Sequence, residues 1–303
     1  MHDVLVRAGC FVAIIVLGFV LRKIGFFKEG AFHTLSQIVV KITLPASIIK
    51  SFSGSELDVS MLLIMGLGFG AGVLYVLAAY LANLKSPKEQ QAFDVVNLPG
   101  YNIGVFAMPF ISSFLGPAGV VTTGVFDSGN AFVCLGGSYG VAASIKDGSG
   151  FSVKRILKAL LTSVPFLTYI IMLLLSLMKL TLPAPVLECA NIISGGNAFV
   201  AMLMIGVGFK LEAKKEQIGH LIKIVVMRYA IAAVVAVVFY FLLPLSLEVR
   251  QTLVLLAFAP IGAAVPGFTA QIKGDTGLSS AINSVCIIIS IIIMVTLLSV
   301  MLY

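Results

Sequence analysis

The stretch Asn97-Leu98-Pro99-Gly100-Tyr101-Asn102-Ile103-Gly104-Val105-Phe106-Ala107-Met108-Pro109 places two prolines and two glycines in the middle of an apolar run. Proline deletes a backbone donor and clashes with the preceding turn, and glycine loosens the chain. A helix carrying both frees carbonyls and amides along its length. A later apolar run contains Ala259-Pro260-Ile261-Gly262-Ala263-Ala264-Val265-Pro266-Gly267, with the same mixture. At bilayer depth such backbone is tolerated only against protein or a wet cavity. Two interrupted helices at matching places in two halves of a chain are a strong pointer to a binding site. The plainer alternative is a pair of ordinary proline kinks.

The surrounding sequence puts these runs in a membrane. Of 303 residues, 59% are apolar and only 11% are charged, with a mean hydropathy of +1.10. A soluble domain carries about a quarter charged residues. Apolar segments run over 4–24, 32–52, 59–82, 95–115, 117–143, 154–178, 185–208, 218–243, 249–270 and 276–302. They are too long for barrel strands, and each approaches the roughly 20 residues a crossing helix needs. The expected fold is therefore an all-α polytopic membrane protein with ten transmembrane helices, with helices 4 and 9 broken. The second segment is amphipathic, carrying Gln37 and Lys41. The first is followed by Arg22 and Lys23 without a small-residue cleavage site, which reads as a retained helix and not a secretory signal. Soluble, disordered, collagen-like and coiled-coil classes are excluded.

Lysine and arginine set the orientation. Fourteen lie in the odd-numbered turns, among them Arg22, Lys23, Lys28, Lys85, Lys146, Lys210 and Lys273; four (Arg7, Lys50, Lys179, Arg250) lie in the even-numbered ones. The odd turns are expected in the cytoplasm and both termini outside the cell membrane. The net charge of +7 thus reads as membrane topology and implies no nucleic-acid partner. Cys10, Cys134, Cys189 and Cys286 are scattered without a C-x-x-C pair and read as small core residues, with no disulfide framework or metal site.

The two halves echo each other. Thr123-Gly124 with Asn130 matches Thr276-Gly277 with Asn283 at an offset of 153, and Ile103-Gly104 before Pro109 matches Ile261-Gly262 before Pro266. This divides the chain into a first five-helix repeat (1–143), a short cytoplasmic connection (144–153) and a second repeat (154–303). With an odd number of helices per repeat, the second copy is inverted relative to the first.

Candidate ligand contacts follow from the breaks: Asn102, Gly104 and Pro109 in the first, Pro260, Gly262 and Pro266 in the second, and the repeat-matched Asn130 and Asn283. Asn102 offers both donor and acceptor. Asn130 and Asn283 either line a cavity or hold helices together. Asp127, near the middle of the fifth segment, is the proton-coupling candidate, because hydrocarbon disfavours an ionised carboxylate. Its alternative is a structural acid bonded to a neighbouring helix. Lys41 could attract an anion or be structural. Arg228 reads as snorkelling to the cytoplasmic headgroups, and Asp94 and Glu188 as solvated span ends. Gly66, Gly68, Gly70 and Gly72 read as close helix packing or a sliding surface.

An enzyme is not expected. Gly136-Gly137-Ser138-Tyr139-Gly140 satisfies G-x-S-x-G, but that elbow needs a strand-to-helix turn and a histidine partner, and it lies inside an apolar helix. His2, His33 and His220 all fall near loops. No cofactor is implied.

The break with Asn102, Gly104 and Pro109, its later counterpart, the opening Gly18 to Arg22-Lys23-Ile24-Gly25 and the Leu44-Pro45-Ala46 of segment two together resemble the auxin efflux carrier family. That family includes plant PIN proteins and bacterial organic-acid permeases, within the bile/arsenite/riboflavin transporter superfamily. The likeness spans essentially the whole chain, with a short central turn as in bacterial members. It implies a scaffold of helices 1, 2, 6 and 7, a homodimer through that scaffold, and a mobile transport unit of helices 3–5 and 8–10. The broken helices would cross in the mobile unit with a substrate carboxylate near their ends. Ala259 and Pro260 stand where a second asparagine would complete the pattern. No Asp or Glu lies in 259–267, so a sodium site of related symporters is not carried over.

The resulting expectation is a secondary-active carrier of a small organic anion, such as an auxin-like or di- or monocarboxylic acid, working by elevator-type alternating access. A channel or a ligand sensor on the same fold are the alternatives. No nucleotide-binding segment supports ATP-driven pumping.

Overall fold

In the computed structural model, residues 2–53, 60–147, 153–211 and 213–301 are described. Their regular structure is all helical, with no strand among them. Seven helices are long and apolar enough to cross a membrane, and the bent pair Ile156–Thr162 and Val164–Leu177, angled at 75°, makes an eighth if taken as one span. The protein is thus an all-helical polytopic membrane protein. Large apolar side chains such as Val16, Leu81, Val234 and Ile292 point outward and are more than half exposed, as lipid contact requires.

Segments four and nine lack a continuous crossing helix, and the reason is local chemistry. Segment four is a helix Lys88–Asn97, a non-helical stretch, a wide π-helical turn Ile103–Ala107 and a helix Met108–Phe114. Segment nine is Leu247–Ala257, a non-helical stretch and Val265–Gln271. Pro109 is the second residue of its helix, directly after the π turn. The same arrangement occurs in segment two, where the π turn Val39–Thr43 precedes Leu44-Pro45. In both, the ring of proline displaces the carbonyl four residues back, and the turn before it widens. At Gly100 the backbone takes φ of 78°, a left-handed conformation open to glycine at no steric cost.

Packing sorts the segments into two groups. In the first, His2–Lys23 packs along Asn197–Gly208, and segment two lies against segments six and seven. In the second, segments three, four and five pack together and join segments eight, nine and ten. Each group contains a glycine lock. A Cβ on Gly18 would overlap the Leu203 carbonyl and one on Gly206 the Ile15 carbonyl; likewise Gly68 meets the Phe126 carbonyl and Gly129 that of Met65. Only hydrogen side chains let these backbones approach so closely. Of the glycine row in segment three, Gly68 and Gly72 make the contact, while Gly66 and Gly70 face open space.

Buried polar ties reinforce each group. Thr43 Oγ1 donates to Asn197 Oδ1 at 2.7 Å, and Arg22 to the Val207 carbonyl at 3.0 Å. In the second group Asn97 Nδ2 donates to Thr269 Oγ1 at 3.0 Å, and Ser279 Oγ donates to Asn97 Oδ1 at 2.5 Å, joining segments four, nine and ten. Residues 144–147 form the last turn of the helix Ser138–Asp147, and 148–152 of the expected connection lie outside the described residues.

Candidate binding site

The two breaks touch. Asn102 N–H donates to the Pro260 carbonyl at 2.8 Å, so backbone freed by one interruption is satisfied by the other. Beside this contact lies a cavity of about 1000 Å³ between the two packing groups. Asn102, Gly104, Gly262 and Pro266 line it from the breaks, Asp127 and Asn130 from segment five, and Asn283 from segment ten. Leu44, Phe166, Tyr169 and Phe209 form the facing wall, and Arg22, Lys28 and Lys210 also border it.

Asn130 is spent on the first break. Its Oδ1 accepts from Tyr101 N–H at 3.1 Å and its Nδ2 donates to the Tyr101 carbonyl at 3.0 Å. The amide so mimics a neighbouring backbone and holds a residue that has left its helix. Nδ2 also reaches Asp127 Oδ1 at 3.0 Å. Tyr169 O–H donates to Asp127 Oδ2 over a longer 3.5 Å, across the divide between the packing groups. Among the described residues no lysine or arginine pairs with Asp127. Gly104 makes room for this approach: a Cβ there would stand 2.6 Å from Leu44 Cδ2 and 3.5 Å from Asp127 Oδ2.

Asn102 and Asn283 are differently placed. Among the described residues the Asn102 side chain has no hydrogen-bond partner, although the residue is buried and on the cavity wall. Asn283 Oδ1 is buried and has no hydrogen-bond partner among the described residues. A buried amide oxygen without a donor costs about 1–3 kcal/mol, which a ligand or water can recover.

Pro109 and Pro260 are not part of the wall. Pro109 acts on the backbone through the π turn, and Pro260 through its carbonyl. Lys41 is exposed and outside the cavity lining, because the π turn carries it to the outer face of segment two.

Two polar residues, Arg228 and Asp94, lie otherwise than expected, and Glu188 is solvated as expected. Arg228, read as snorkelling, is 1% exposed. Its Nη1 donates to the Leu98 carbonyl at 2.7 Å, and its Nη2 to the carbonyls of Gly100 at 3.0 Å and Ala259 at 2.7 Å. Its guanidinium also sits over the rings of Tyr75 and Tyr101, at 5.2 and 5.4 Å. Three charge-assisted bonds and two aromatic faces offset a desolvation penalty of several kcal/mol. Asp94 is wholly buried and pairs with His220 at 2.5 Å and Lys223 at 3.2 Å; Lys223 also donates to Asn83 Oδ1 at 2.7 Å. The hydrophilic segment ends meet one another there instead of water. Glu188 is exposed. An arginine in the middle of an apolar span is a warning of function by itself; its nearness to Lys223 obscured that signal. Tyr169 carried no signal, since its partner lies in another segment.

Among the described residues no group of three or more His, Cys, Asp and Glu side chains is arranged to hold a metal ion. Ser138 of the G-x-S-x-G stretch is buried and donates to the Val133 carbonyl at 3.3 Å, within helical surroundings.

Residues 10–145 match the family model described as membrane transport protein. An uncharacterized transporter of Methanocaldococcus jannaschii is 25% identical over 217 residues, covering 68% of each chain.

Proposed function

We propose that this chain, which belongs to the auxin efflux carrier family of membrane transport proteins, is a secondary carrier of a small organic anion, most simply a carboxylate. The family is one of transporters and not of enzymes. The observation that carries the reading is the cavity beside the joined breaks, with the partnerless amides of Asn102 and Asn283 on its wall. Side-chain amides on a cavity wall with no protein partner among the described residues are free to bind a polar ligand head. The apolar and aromatic wall opposite suits its carbon skeleton.

In this reading the ten segments are two inverted five-helix repeats, and segments four and nine cross at the substrate. Segments 1, 2, 6 and 7 form a scaffold through which two copies pair, and segments 3–5 and 8–10 carry the substrate as one body. The separate glycine locks and polar ties of the two packing groups support that division. Arg22, Lys28 and Lys210 at the cavity come from turns whose positive charge assigns them to the cytoplasm, so the cavity is read as inward-facing with both termini outside. Asp127 is the proton-coupling group, held by Asn130 within its own body and by Tyr169 of the scaffold.

The test is counterflow in proteoliposomes across a panel of carboxylates, from malate and malonate to indole-3-acetate, with and without a pH gradient. Saturable counterflow establishes the carrier, and the preferred acid gives the substrate class. Flux far above carrier rates without counterflow indicates a channel, and binding without flux a sensor.

A further inference from the structure

Several backbone groups freed at the breaks find partners across the fold, and one side chain takes three of them. Leu98 and Gly100 give their carbonyls to Arg228, Tyr101 gives both backbone groups to Asn130, and Asn102 gives its N–H to Pro260. Ala259, in the other break, gives its carbonyl to Arg228 as well. A cradle of carbonyl oxygens from two interrupted helices is the ligand set that takes a hard cation in a membrane site. Here the cation is covalently attached. No carboxylate pairs with the guanidinium among the described residues; the carbonyl oxygens of the two breaks are its partners.

We propose that Arg228 is a positioning residue acting as a fixed cation: it fills the carbonyl cradle between the two breaks, holds Asn102 in the cavity wall, and removes any need for a diffusible cation at that place. The planar fork is needed to hold all three carbonyls at once: Nη2 bridges Gly100 and Ala259 across the two breaks while Nη1 takes Leu98, whereas an ammonium is a single centre. Tyr75 fixes the fork from behind: its ring lies under the guanidinium and its O–H donates to the Arg228 carbonyl at 3.1 Å. The transport consequence rests on the carrier reading; the occupancy of the cradle does not.

The experiment compares the full-length chain with Arg228→Ala and Arg228→Lys, in two measurements. In proteoliposomes, wild-type counterflow should be unchanged when sodium and potassium are replaced by N-methylglucamine. Arg228→Ala should lose counterflow by more than about tenfold, because three buried carbonyls are left without a donor. Guanidinium chloride at millimolar concentration should restore a substantial part of it, and should not affect wild type. Arg228→Lys should fold and raise the half-saturating substrate concentration more than it lowers the maximal rate. In detergent, the same guanidinium concentrations should raise the thermal midpoint of Arg228→Ala and leave wild type unmoved. A sodium or potassium requirement in wild type overturns the proposal, as does an Arg228→Lys variant with wild-type kinetics. So does an Arg228→Ala variant that guanidinium fails to stabilise. If Arg228→Ala does not fold, the lysine variant and the wild-type ion replacement decide. Absence of wild-type counterflow with folded protein overturns the carrier reading alone, and the thermal measurement still decides whether the cradle is a cation site.

Discussion

Asn130 and Tyr101 form a reciprocal pair in which one side-chain amide satisfies both backbone groups of a residue that has left its helix, at 3.1 and 3.0 Å. The pair explains how a membrane protein can keep an open stretch of backbone at depth: a neighbouring helix supplies what the missing helical turn would have. It also separates two roles that look alike in sequence. Asn130 holds the break, and Asn102, one residue beyond the held Tyr101, has its own amide left over.

Removing that tie should be costly. Asn130→Ala strips Tyr101 of two partners and Asp127 of its nearest donor, so a loss of about 2–5 kcal/mol is expected from the unsatisfied buried groups. Thermal unfolding in detergent should show a clear drop in midpoint; an unchanged midpoint would mean that water replaces the amide without penalty.

Asn102→Ala should behave in the opposite way. Its side chain has no protein partner to lose among the described residues, so folded yield and thermal midpoint should stay within about 0.5 kcal/mol of wild type. Counterflow should fall by at least about tenfold if the amide binds the transported anion. Normal transport in this variant removes Asn102 from the site.

Asp127→Asn keeps the shape of the side chain and an oxygen that accepts from Asn130, its NH2 donating to the Tyr169 hydroxyl in place of accepting from it, but it can no longer exchange a proton. Accumulation driven by a pH gradient should disappear while substrate exchange persists. Loss of both or of neither takes Asp127 out of the coupling role.

Asp275 gives a pH effect at the surface. Its Oδ1 accepts from Leu278 N–H at 2.9 Å at the start of Thr276–Met301, and Gln217 donates to its Oδ2 at 2.6 Å. These donors favour the ionised form and hold the carboxyl below its ordinary range. The folded state therefore binds this proton more weakly than the unfolded chain. The resulting stability is present above the ordinary carboxylate pKa, near about 4, and is lost as pH falls through the lower folded value. Asp275→Asn retains a capping oxygen without titrating, so its thermal midpoint should fall less than that of wild type between about pH 5 and pH 3. Equal acid sensitivity in the two proteins refutes the assignment.

Composition excludes a soluble protein, because so few charges over so many apolar residues leave no soluble alternative, and the length of the apolar runs makes the spans helices. The places where helices four and nine give way were also legible. Proline lacks an N–H wherever it stands, and the π turn before Pro109 is a property of the local chain. The motif could not say what becomes of the freed backbone groups. Arg228 lies in a long apolar helix, and its three carbonyl partners belong to two other segments. Asp94, beside hydrophilic neighbours at a span end, is buried because Lys223 and His220 arrive from segment eight. Asn130 and Asn283 occupy matching places in the two halves, and only their neighbours distinguish a tie from a free contact. Breaks and spans are written in covalent chemistry and local hydropathy, whereas hydrogen-bond partners distant in the chain exist only once the helices have packed.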